Sequence, residues 1–97
     1  MAGIRCVMSM DRGEILDEAK RLTYGSRDAC YGPPLLNHRR IAALWSVYLE
    51  TDVTPAQVAI CLALVKVARL VESPDHQDSY VDLAAYASIA GEIATQI

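Results

Sequence analysis

The chain has 97 residues, a formal net charge of −3 and an apolar fraction of 53%. That length makes one domain with a small core, to which an oligomer interface is a natural supplement of buried apolar area. The acidic balance, with no basic run, argues against a duplex-nucleic-acid partner. Lys66 and Arg69 interrupt the richest apolar stretch, residues 58–71, before it reaches bilayer-spanning length, so no membrane association is expected.

Residues 1–10 hold one Arg and only a short apolar patch, without the apolar core of a signal peptide, and read as a leader ahead of a single helical domain over residues 11–97. Cys6, Cys30 and Cys61 are odd in number and lack a Cys-x-x-Cys pair or zinc-type spacing, which favours reduced thiols in a cytoplasm, with no disulfide and no structural metal.

The first regular element opens at Asp11, where Glu14 three residues on completes a capping box and Ile15, Leu16, Ala19 and Leu22 form an apolar stripe. It should end near Tyr24-Gly25, because Gly25, Gly32, Pro33 and Pro34 make the next stretch a loop carrying a Tyr-Gly doublet, Tyr24-Gly25 and Tyr31-Gly32. A second helix starts at Pro34 or Leu35 and places Ile41, Leu44, Trp45, Tyr48 and Leu49 at helical spacing, with Trp45 and Tyr48 assigned to the core. Thr54, Pro55 and Gln57 then supply an N-cap, a first-turn proline and a capping-box partner. The helix that follows is apolar on nearly every side, which predicts a central helix covered all around, in part by another subunit. Ser73-Pro74-Asp75 breaks it, and a last helix from Gln77 or Asp78 carries Ala84, Ala85, Ala87, Ser88, Ala90 and Gly91, a thin profile that lets a neighbouring helix approach closely. The expected fold is all-α, a compact bundle of about four helices assembled as a homo-oligomer.

Polar residues in line with apolar stripes are the candidate functional positions. Asn37 and Arg40 each precede an apolar residue of the second helix by four, so both continue its inward stripe. Asp78 and Asp82 are four apart on the last helix, with Tyr86 on roughly the same side, and Lys66 and Arg69 are neighbouring charges in the central helix. Buried charges must be paired or must bind something. One reading is an internal network of Lys66 and Arg69 with Asp78 and Asp82. The other adds an anion held by Lys66, Arg69 and Arg40, with Tyr24 or Tyr31 stacked on a base, and the two are compatible. His38 lies beside Asn37 and joins the candidate ligand-binding set. His38 and His76 are too far apart in sequence to define a metal site, and no nucleophile triad is evident.

The segments Glu14-Ile-Leu-Asp-Glu-Ala, Tyr31-Gly-Pro-Pro-Leu-Leu-Asn37-His38-Arg39-Arg40, Leu64-Val-Lys66-Val-Ala-Arg69 and Asp78-Ser79-Tyr-Val-Asp82-Leu-Ala-Ala-Tyr86 occur in order and resemble a bacteriophage-encoded domain family of unknown function. The Lys-x-x-Arg helix followed by Asp-Ser-x-x-Asp is more distantly similar to the phage nucleotide-modification-associated domain. The last helix also resembles that of MazG-type pyrophosphohydrolases, whose acidic residues bind magnesium. Those enzymes carry a Glu-Glu-x-x-Glu motif on the preceding helix, where this chain has Lys66 and Arg69. The resemblances imply a phage accessory protein in the host cytoplasm that binds a nucleotide or related phosphorylated small molecule, for nucleotide metabolism or counter-defence, and requires no cofactor. Two alternatives stand beside it. One is a magnesium-dependent pyrophosphohydrolase using Asp78, Asp82 and Glu14, Asp17 and Glu18. The other is a module that binds a host protein.

Overall fold

The computed structural model describes residues 9–25 and 32–96 and contains four helices, with no strand among the described residues. We label them α1 (Arg12–Tyr24), α2 (Pro34–Leu49), α3 (Pro55–Glu72) and α4 (Gln77–Thr95). The local signals set the boundaries as expected. At the start of α1 the Asp11 carboxylate accepts from the Glu14 N–H at 2.8 Å while Glu14 accepts from the Asp11 N–H at 3.2 Å. At α3 the same reciprocal pair forms between Thr54 and Gln57, with Pro55 in the first turn. Each box satisfies two of the N–H groups that a helix start leaves without an intrahelical partner. The turn from α2 to α3 is tied by Ser46, whose hydroxyl donates to the Ala42 carbonyl and accepts from the Val53 N–H at 2.9 Å.

Packing is organised on α4. Its most extensive contact is with α3, next with α1, whereas α2 lies mainly on α3. The small residues of these helices explain the first of these: six of the eight buried apolar residues among those described are alanines, with Ala59 and Ala63 on α3 and Ala90 on α4. Alanine lets helix axes come close, so the core is built from short side chains and backbone proximity. On the other side of α4, Val81 and Ala85 cluster with Ala19 of α1, flanked by Met10, Ile15, Leu22 and Ala84.

Within one chain the central helix leaves Ile60, Leu64, Val65, Val67 and Val71 exposed. Two expectations on α2 need correcting. Tyr48 is not a core residue, being 86% exposed, while Trp45 is half-buried, and Arg40, expected on the inward stripe, is exposed. Both have one cause. The inward stripe of α2 is His38, Ala42 and Ser46 with Ile41 and Trp45, so Leu44, Val47 and Tyr48 fall on the outer face although they too recur at helical spacing. The leader assigned to residues 1–10 lies almost wholly outside the described residues, as does the loop position of Tyr31.

Candidate functional site

A cleft of about 150 Å³ opens between the N-terminal half of α2 and the middle of α4, a volume that elsewhere suffices for one six-membered ring. Its walls are mainly apolar, with Leu22, Ile41, Leu62, Ala85 and Ile89 drawn from all four helices. Its polar groups are few: Asn37 and His38 from α2, Asp82 and Tyr86 from α4, and Thr23 from the end of α1. An apolar wall with a small number of placed polar groups is the usual make-up of a small-molecule site.

His38 is 5% exposed and is one of two buried polar side chains in the core. Its Nδ1 lies 2.8 Å from the Pro34 carbonyl oxygen one helical turn earlier. A carbonyl can only accept, so Nδ1 carries the hydrogen and donates, and in the neutral ring Nε2 is then a bare acceptor. That Nε2 is buried and has no hydrogen-bond partner among the described residues. A buried acceptor without a donor carries a desolvation penalty of about 1–3 kcal/mol.

Asp82, on the opposite wall, is held through Oδ2 by the Lys66 ammonium at 3.0 Å. Both side chains are partly shielded, at 14% for Lys66 and 29% for Asp82. The pair joins α3 to α4 and fixes the orientation of a carboxylate that lines the cleft. Tyr86 follows Asp82 by one turn of α4, which brings both to the cleft.

The sequence-derived candidates therefore divide. Asn37, His38 and Asp82 line one cleft, and Lys66 adjoins it through its ion pair. Arg40 and Arg69 stand on the exposed surface. Asp78 is exposed and lies near enough to Glu18 to act on it electrostatically. Tyr24 is exposed and borders a second groove with Lys20, Ser88 and Glu92, and Tyr31 lies outside the described residues. Of the three cations of the expected anion site, Arg40 and Arg69 are exposed and none of the three lines the cleft itself. Tyr86 was not among the candidates, although its spacing of four from Asp82 was the signal that places it. Among the described residues no group of three or more His, Cys, Asp or Glu side chains is arranged to hold a metal ion. No helix among them is long and apolar enough to cross a membrane.

Comparison with known proteins gives the chain a family. Its residues are 42% identical over 79 positions to the Gene 55 protein of Mycobacterium phage D29, covering 81% of this chain and 52% of that protein. They are 42% identical over 76 positions to the Gene 55 protein of Mycobacterium phage L5, covering 77% and 49%. The chain thus spans about half the length of these curated relatives. No solved structure matches it. Residues 14–94 match the model of a domain of unknown function, DUF6378, and that span contains the four helices and the cleft but for the ends of α1 and α4. The chain belongs to this family of domains of unknown function, DUF6378, with relatives in bacteriophages.

Proposed function

We propose that the domain binds a nucleotide or related phosphorylated small molecule in the cleft between α2 and α4, as a phage accessory protein working in the host cytoplasm. The observation that carries this reading is the cleft lining: a ring-sized apolar slot with Asn37, His38, Asp82 and Tyr86 on its walls. A heterocyclic base has two apolar faces and a polar edge, and such a slot offers both kinds of contact. Arg40, three residues beyond Asn37 on α2, stands at the exposed surface where a ligand phosphate would remain hydrated, and Lys66 supplies positive charge behind Asp82.

The enzyme alternative is less well supported, because a triphosphate-bound magnesium needs several carboxylate oxygens and α3 contributes none before Glu72 at its end. The direct test is titration of the purified domain with nucleoside 5′-monophosphates, followed by backbone amide NMR. Binding should shift the amides of residues 37–41 and 82–89, and those perturbations should be lost in Asp82→Leu. Perturbations confined to other surfaces, or none with any nucleotide, would refute the reading.

We further propose that the domain self-associates through the outer faces of α2 and α3. The support is the row Ile60, Leu64, Val67 and Val71, which follows the i, i+4, i+7, i+11 spacing of a helix-pairing seam yet faces solvent.

A further inference from the structure

We propose that His38 and Asp82 together select ligands by an exocyclic amino group, so that the cleft takes amino-substituted heterocycles and rejects their carbonyl counterparts. This rests on the cleft being a base-binding site, as argued above. The argument begins with the unsatisfied atom. His38 Nε2 is buried at the cleft, with no donor among the described residues, while Nδ1 is committed to the Pro34 carbonyl. That commitment fixes the tautomer, so what Nε2 requires is a donor.

The facing wall needs the same thing. Asp82 engages Lys66 through Oδ2, and its Oδ1 is an acceptor with charge still available. Two acceptor-bearing residues lining one cleft call for two donors on one ligand edge. A primary amino group on a heterocycle presents two N–H donors from a single nitrogen, one for each wall. A carbonyl oxygen at the same ring position would set a lone pair against a lone pair on one side and against a carboxylate on the other. A site whose buried polar groups are left unpaired by the wrong ligand discriminates strongly, because the empty hydrogen-bond position is lost along with the contact. Asn37 does not decide between the two, since its amide both donates and accepts.

The test uses pairs in which a carbonyl and an adjacent ring N–H replace the amino group and an adjacent bare ring nitrogen: cytidine against uridine 5′-monophosphate, and adenosine against inosine 5′-monophosphate, titrated calorimetrically into the whole chain. The amino member of each pair should bind about tenfold or more tightly, the ratio expected for one satisfied against one frustrated hydrogen-bond position. His38→Leu removes the orphaned nitrogen together with the Nδ1 hydrogen bond to Pro34 while keeping an apolar side chain in place, and it should collapse the amino preference. Nitrogen-15 NMR of the wild-type imidazole provides a reading independent of any variant. Nε2 should resonate as a bare acceptor in the free protein and move toward the hydrogen-bonded range with cytidine monophosphate but not with uridine monophosphate. Equal binding of both members of each pair would overturn the amino-group selection while leaving the base-binding reading intact. Failure of all four nucleotides to bind would overturn both. An Nε2 resonance already protonated in the free protein would also overturn the selection.

Discussion

At α1 the Glu18 carboxylate receives a two-point contact from Arg21 one turn later, Nε to Oε1 at 2.6 Å and a terminal guanidinium nitrogen to Oε2 at 2.8 Å. This hydrogen bonding, aided by the guanidinium charge, holds the Glu18 pKa below its ordinary value; partial desolvation and the nearby Asp78 carboxylate act the other way. The depressed value means the folded state favours ionised Glu18. Its contribution is therefore present above the ordinary carboxylate range and fades as the pH falls through the lowered value. Carbon-detected NMR titration should find the Glu18 midpoint below that of a model glutamate, and Arg21→Gln should return it toward the ordinary value. Because the pair is exposed, the accompanying change in stability should be small. The arrangement of single residues was legible in part. The sequence pointed to Lys66 pairing with a carboxylate of α4 and to Asn37 facing inward, but the same i, i+4 arithmetic put Arg40 inward, and Arg40 is exposed. It could not show that Arg69, three residues after Lys66, turns outward, because periodicity states which residues share a face and not which face meets a neighbour. Nor could it show that His38 has a spare acceptor, which depends on tertiary burial around one ring nitrogen.

The helix starts are the best-determined elements, since both capping boxes are four-residue patterns complete in themselves. The end of α2 has no such help. Its C-cap is Glu50, at φ 54° and ψ 40° in the left-handed region, with its N–H reaching back to the carbonyls of Ser46 and Val47. It is the one non-glycine residue with positive φ among those described. A side chain in that region costs about 1–2 kcal/mol, which glycine avoids. Glycine gives back some of the gain through greater freedom in the unfolded chain. Glu50→Gly should therefore stabilise the domain by about 0.5–1 kcal/mol, as read from denaturant midpoints with an unchanged m-value. Destabilisation would mean that the Glu50 side chain makes a compensating contact. No sequence rule flagged this position, because Glu50-Thr51-Asp52 reads as an ordinary polar turn, while the left-handed residue accompanies the backbone bonds that Glu50 and Thr51 make back to Val47 and Ser46.

At the scale of the whole molecule the bundle measures 44 × 27 × 23 Å, and its alanine-rich core holds the helices together while leaving larger apolar side chains on the outside. On α3, Ile60, Leu64, Val67 and Val71 are 49%, 58%, 42% and 83% exposed, and on α2 Leu44, Val47 and Tyr48 are more exposed still on average. At about 100 Å² per large apolar side chain, these seven leave on the order of 500 Å² uncovered. One side of a standard interface buries about 800 Å², of which roughly 65% is apolar in homodimers, so the quantities match for a second copy of this chain. A helix apolar on all sides was legible in the sequence, but sequence alone could not say which of its residues the same chain covers. Sedimentation velocity at micromolar concentration should therefore show a dimer or higher species. Leu64→Glu, which places a charge in the middle of the seam, should yield a monomer with undiminished helicity and a lower thermal midpoint, since the side chain is exposed in the single chain and the lost stability is that of assembly. A wild-type chain that sediments as a monomer throughout that range would show that the seam is not a self-association surface. A Leu64→Glu chain that remains oligomeric would place the interface elsewhere.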